Sequence, residues 1–252
     1  MNMLYEKHNY LDKNVSYLCS QEIYEYDMKS AGFNIIKYFK LLSERQIKEL
    51  ENMSKKKRQI AIGLLTRNNK ELATALNDGF IKARKMFFEA NGLQEEDILA
   101  IKKDAIFTLK YCNHTEFDNI VFDVKNYYSS YFYLNKTEFY YNPKTGIDVK
   151  GFQKQAHLHA DYMLDFLAYY AKLLETGKRT EVIKFIKDFA GYYKRKELDI
   201  SYYRELNSDS FFKSTITVFD QTLYFENMLD YEQLDITYNY VNYIVPLIQI
   251  LM

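Results

Sequence analysis

The chain has 252 residues, of which 48% are apolar and 17% aromatic, with 34 basic and 34 acidic side chains. That length and apolar share suffice for a sizeable core and exclude a disordered chain. The charge balance excludes a protein that attracts polyanions through its overall charge, so any nucleic-acid contact must rest on local clusters.

Cys19 and Cys112 are too few for a disulfide framework and lack the paired spacing of a zinc site, which implies two free thiols in a reducing, cytoplasmic setting. Glu6, His8, Asp12 and Lys13 interrupt the first twenty residues, and no run is apolar and long enough for a signal peptide or a membrane span. The weight of Lys, Asn, Ile and Tyr fits an AT-rich coding sequence, as in a low-GC bacterium or its phage.

Along the chain, residues 21–27 read as a strand closed by Asp27, since Ile23, Tyr24 and Tyr26 suit a pleated surface. The spacing of Phe33, Ile36, Phe39 and Leu42 predicts a helix next. Ser43 with Gln46 is a capping-box pattern, so a second helix is expected from Ser43 through the basic cluster to about Leu65. A third should run from Lys70 to Ala90 and stop at Asn91-Gly92.

"DILAIKKDAIFTL" then predicts a strand pair folded at Lys102-Lys103-Asp104, and residues 120–152 predict aromatic β-hairpins with a turn at "NPKTG". Helical spacing returns after Gln155 and again over Arg179–Tyr193. The expected organisation is a core over residues 1–152, with helices at about 43–91 inserted in it, and a mainly helical annex over 153–252. The fold class is α+β.

Two strand ends, one carrying Asp27 and the other Asp104, would bring two carboxylates together if the strands were neighbours, and such a pair suits divalent cations in phosphoryl transfer. Between them lies "SKKKRQIAIGLLTR", whose Lys55, Lys56, Lys57, Arg58 and Arg67 could grip phosphates from a helix. Each feature also has a plain structural use. Asp27 could cap a helix, Asp104 could sit in a turn, and the lysines could form a solvated face. His157 and His159 point to different sides of a helix, which argues against a shared metal with Asp161. The aromatic residues of 127–141 could stack on unpaired bases or pack a core.

The order acid, base, acid resembles the palm of family B DNA polymerases. Asp27-Met-Lys-Ser30-Ala-Gly-Phe keeps the Asp and Ser of the family's first motif, Asp-x-x-Ser-Leu-Tyr-Pro. Lys55 and Gly63 keep the ends of its finger motif, Lys-x-x-x-Asn-Ser-x-Tyr-Gly. Ala100 to Ala105 falls on Tyr-x-Asp-Thr-Asp-Ser, with Asp104 at the second Asp and Lys102 at the first. Lys125-Asn126-Tyr127 matches a later Lys-x-Tyr element, and Val149-Lys150-Gly151 resembles the Lys-Gly strand that follows it.

The resemblance covers about residues 20–152. It implies a polymerase-like palm with short helical fingers and a thumb-like C-terminal annex, holding Mg²⁺ or Mn²⁺ on Asp27 and Asp104. Ser30, Lys55 and Arg58 would contact a nucleoside triphosphate, while Lys125 and Tyr127 would contact the primer of a primer–template. The sequence also departs from the pattern at Lys102 and at the family's Leu, Tyr and Pro positions. It therefore leaves open a catalytically silent module that binds nucleic acid or a protein partner, and a metal-dependent nuclease.

Overall fold

The computed structural model describes residues 3–134, 137–150, 161–195, 197, 215–218 and 221–224. It is a mixed α and β chain whose sheets are antiparallel and whose residues group into two compact units, Met1–Asn14 with Glu22–Tyr127 and Val15–Gln21 with Tyr128–Met252. Strands β2 (Tyr17–Met28) and β6 (Ile120–Leu134) supply residues to both units. The hairpin of residues 137–150, grouped from the sequence with the N-terminal core, lies in the second unit.

In the first unit, β1 (Asn9–Leu11), β3 (Ile98–Lys102), β4 (Ala105–Thr108), β2 and β6 lie side by side in that order. A short strand, β5 (Glu116–Phe117), pairs with β6. Apolar residues explain the ladder's center. Ile98, Leu99, Ala100, Ile101, Ile106 and Phe107 are all at most 1% exposed, as befits strands covered on both faces. β2 begins at Tyr17, four residues before the start expected from the sequence, because Tyr17, Leu18 and Cys19 extend the strand ahead of the exposed Ser20, Gln21 and Glu22.

Four helices follow or pack on this sheet: α1 (Ala31–Tyr38), α2 (Glu44–Glu51), α3 (Lys55–Asn68) and α4 (Lys70–Asn91). The capping box at Ser43 is present, with the Gln46 side chain returning to the Ser43 backbone N–H at 3.2 Å. The single helix expected from Ser43 to Leu65 is instead two, because the chain leaves helical geometry at Ser54 (φ −59°, ψ 153°) and starts again at Lys55. α4 ends as predicted: Gly92 adopts φ 56°, a left-handed stop that glycine takes without a Cβ clash. α1 meets α4 so closely that a Cβ on Gly79 would lie 2.3 Å from Ile35 Cγ2.

The second unit has its own core. β6, β7 (Thr137–Asn142) and β8 (Gly146–Lys150) form a meander, and Phe132, Phe139 and Val149 join Phe166, Leu167 and Tyr170 of α5 (Asp161–Glu175) and Val182, Ile186 and Phe189 of α6 (Arg179–Lys194). The Phe166 and Phe189 rings stack with centroids 4.0 Å apart. A two-stranded hairpin, β9 (Thr215–Val218) with β10 (Gln221–Tyr224), lies in the stretch read from sequence as mainly helical. His157, His159 and Gly151 lie outside the described residues. Among the described residues no helix is long and apolar enough to cross a membrane.

Candidate active site

β2 and the β3–β4 turn build the site from backbone pairing. Asp27 is the register partner of Ala105, and the next peptide group in each strand closes the pair, since the Met28 N–H donates to the Asp104 carbonyl oxygen at 3.1 Å. The backbone of the turn that bears Asp104 thus lies against the end of β2, with Ala105 rather than Asp104 directly opposite Asp27. Burial pushes the Asp27 carboxyl up; the charge of Lys125 opposes that rise, and the charges of Asp104 and Glu25 add to it.

Two non-glycine residues beside these aspartates are left-handed. Ser30 has φ 43° and Lys103 has φ 54°, a region where residues with a Cβ are strained. Ser30 turns the chain from β2 into α1 so sharply that the first turn of the helix lines the same cleft as Asp104. Lys103 is clamped at both of its backbone polar groups. Its N–H donates to the His8 carbonyl oxygen at 2.6 Å, and its own carbonyl oxygen accepts from Arg84 Nη1 at 2.7 Å.

Arg84 was not singled out from the sequence. It is fully buried, donates from Nε to the Tyr5 carbonyl oxygen at 2.8 Å, and has its pKa lowered to about 10 by burial, which the charge of Asp104 offsets in part. Burying an arginine is costly unless it is hydrogen-bonded, and this one ties the N-terminal segment to the Asp104 turn. Its Nη2 has no hydrogen-bond partner among the described residues.

The cleft beside Asp104 has a volume of about 250 Å³ and is walled by α1, α3 and α4. Ser30, Lys55, Arg58 and Asp104 all line it, so three residues expected to contact a nucleotide share one space with one of the two aspartates. Asp27 is not part of that lining; its carboxylate faces Lys125 at 3.7 Å. Gly32, Phe33, Gly63 and Phe80 complete the walls that matter here.

Helix α3 starts with Lys55, Lys56, Lys57 and Arg58 and has no acidic residue in its first turn. Cations at the positive end of a helix are unfavourable by about 0.3–1 kcal/mol each at low salt, so this end is electrostatically prepared for an anion. Lys55 and Arg58, three apart, fall on the side facing the cleft. The Arg58 guanidinium lies 4.4 Å from the Phe33 ring centroid and donates to the Met53 carbonyl oxygen at 3.1 Å, while its Nε, shielded from solvent, has no partner among the described residues.

Lys125 and Tyr127 leave β6 in different company. Lys125 Nζ lies 3.5 Å from Glu25 Oε1 and 3.7 Å from Asp27 Oδ2, and Asn126 donates to Glu25 Oε2 at 2.7 Å. The Tyr127 ring packs on Tyr24 at 5.6 Å, and Tyr24 in turn meets the exposed Tyr111 edge-on at 5.3 Å. Lys150, from the Lys-Gly match, bonds Asp148 at 2.8 Å in the second unit.

The resemblance would place a divalent cation on Asp27 and Asp104. Asp27 and Asp104 offer hard oxygen ligands, and Mg²⁺ commonly takes one or two carboxylates and completes its shell with water and substrate phosphates. Among the described residues no cluster of three or more His, Cys, Asp or Glu side chains could hold a metal.

A mixed α and β chain with an antiparallel sheet and a cleft lined by Lys55, Arg58, Lys103 and Asp104 is the class these features define. Over residues 1–252 the chain matches the family model described as Bacteriophage PBS1 gene 130 protein, and it belongs to that family. Its phage affiliation agrees with the composition. The chain matches no curated protein.

Proposed function

We propose that the protein transfers a nucleotidyl group from a nucleoside triphosphate to a 3′-hydroxyl, on a polymerase-like palm with α2, α3 and α4 as short fingers. The observation that carries this reading is that Asp104, whose carbonyl oxygen accepts from the Met28 N–H next to Asp27, lines the same cleft as Ser30, Lys55 and Arg58. Divalent cations bound there would stabilise charge on the phosphoryl oxygens and lower the pKa of the attacking hydroxyl.

The chain's own part is placement and electrostatics. Asp27 presents its carboxyl group from the end of β2 and Asp104 from the β3–β4 turn. Lys55 and Arg58 steady the triphosphate at the cationic start of α3, and Ser30 brings the first turn of α1 to the same anion. Lys125 and Tyr127 steady the primer strand. The Lys125 ammonium, already beside Asp27, balances carboxylate charge until the substrates arrive.

The second reading is a catalytically silent module that binds nucleic acid or a protein partner. It is favoured by Lys102 at the end of β3, where the resemblance has an acid, and by the ion pair that occupies Asp27. Primer extension separates the two. The parent, Asp27→Asn and Asp104→Asn are incubated with Mg²⁺ or Mn²⁺, labelled nucleotides and a primed template. Extension by the parent that both variants lose supports transfer; strand binding without extension in any sample supports the module. Shortening of the labelled strand without nucleotides would point to a nuclease.

A further inference from the structure

We infer, building on the nucleotidyl-transfer reading, that Lys103 is a third cation for the polyphosphate of the incoming nucleoside triphosphate, acting beside Lys55 and Arg58. Lys103 lines the cleft with those two residues. Its Nζ lies 5.2 Å from the centroid of Phe80, another wall of the cleft, and no ion pair joins it to a carboxylate among the described residues. The ammonium is held over an aromatic face in the cleft, with its charge left for a ligand.

The backbone strengthens the case. Lys103 stands at φ 54°, where glycine or asparagine sits with less strain, and the clamp by His8 and Arg84 acts on backbone atoms that any residue would supply. Nothing in that clamp requires a lysine. A strained position that carries a long cation into a cleft is accounted for if the side chain is used there.

Charge selects the ligand class. Lys55, Arg58 and Lys103 face one carboxylate, Asp104, among the ionic side chains lining the cleft. A single carboxylate ligand could engage one of these cations well, whereas a polyphosphate carries several charges along a short chain and can meet all three. At about 250 Å³ the cleft suits such a chain, with the sugar and base toward its mouth. The lowered pKa of His8, due to burial and then to Arg84 and Lys103, agrees with positive potential at this turn.

The test is calorimetric titration of the full chain with inorganic tripolyphosphate, with the thermal midpoint measured in parallel for the parent, Lys103→Gly, Lys103→Asn, Lys55→Met and Arg58→Met. The expected result is that both Lys103 variants bind about tenfold more weakly, as loss of one charge-assisted contact implies, while their midpoints hold or rise. Unchanged affinity in the Lys103 variants, with loss in Lys55→Met and Arg58→Met, overturns the inference and leaves the transfer reading standing. Midpoints that fall in both Lys103 variants also overturn it, because the lysine would then serve packing on Phe80. No binding by the parent overturns the inference together with the substrate assignment beneath it.

Discussion

Lys125 and Asp27 form an ion pair at 3.7 Å that does not cancel the effect of burial on the carboxyl, whose pKa remains above its ordinary 3.8. A carboxyl with a raised folded-state pKa contributes stability that is fully present below the unfolded value and is lost as pH rises through the folded value. The charged form of Asp27 therefore weighs against folding at neutral pH. Asp27→Asn should melt higher than the parent at pH 7, by about 2 °C or less, and the gap should close below about pH 4. Thermal unfolding across that pH range checks the sign, and a variant less stable than the parent at pH 7 would contradict it.

Arg84→Met should be among the most disruptive single changes in the first unit. It removes charge-assisted bonds to the Tyr5 and Lys103 carbonyls at 2.8 and 2.7 Å and leaves both acceptors short of a donor. A loss of about 3 kcal/mol is expected. Arg84→Lys should recover less than half of it, because one ammonium on a flexible stem does not reproduce the guanidinium fork. Urea unfolding of the three proteins gives the comparison.

Two helical glycines should respond in opposite directions. At Gly79 an added methyl would meet Ile35 Cγ2 at 2.3 Å and Phe39 at 3.3 Å, so Gly79→Ala should cost about 1–3 kcal/mol through overpacking between α1 and α4. At Gly63, in α3, nothing lies within 4 Å. Gly63→Ala should gain about 0.5–1 kcal/mol from helix propensity. Denaturation midpoints of the pair decide whether close approach, rather than glycine content, sets their roles.

The two thiols should differ in reactivity. Cys112 is 1% exposed, its N–H donates to the Tyr26 hydroxyl at 2.7 Å, and burial pushes its thiol up to about 11. Cys19 is only half-buried. A disulfide reagent at pH 8 should modify one thiol promptly in the native protein and the second only after denaturant is added. Prompt modification of both would show that the loop holding Cys112 opens readily.

Local chemistry made several elements legible before any coordinates. Asn91-Gly92 marked the end of α4, Ser43-Gln46 marked the start of α2, and apolar runs on either side of Lys102-Lys103-Asp104 marked the β3–β4 hairpin. The break between α2 and α3 was hidden because Asn52-Met53-Ser54 contains neither Gly nor Pro. The pairing of Asp27 with the Asp104 turn was reachable only from the order of motifs, since register across 77 positions is set by tertiary packing. Arg84 was invisible for a related reason. In "KARK" it looks like one more surface cation, and only carbonyls distant in sequence reveal its burial. The left-handed turns at Ser30 and Lys103 were equally hidden, because neither residue type advertises that conformation.

The crowding of Lys55, Lys56, Lys57 and Arg58 at the start of α3 makes heat tolerance depend on the choice of buffer. Repulsion among like charges relaxes when any salt screens them, but a multivalent oxyanion can also settle against the free amides of the helix start. Sulfate should accordingly protect the fold better than chloride at matched ionic strength, and truncating the lysines to alanine should narrow the difference between the two salts.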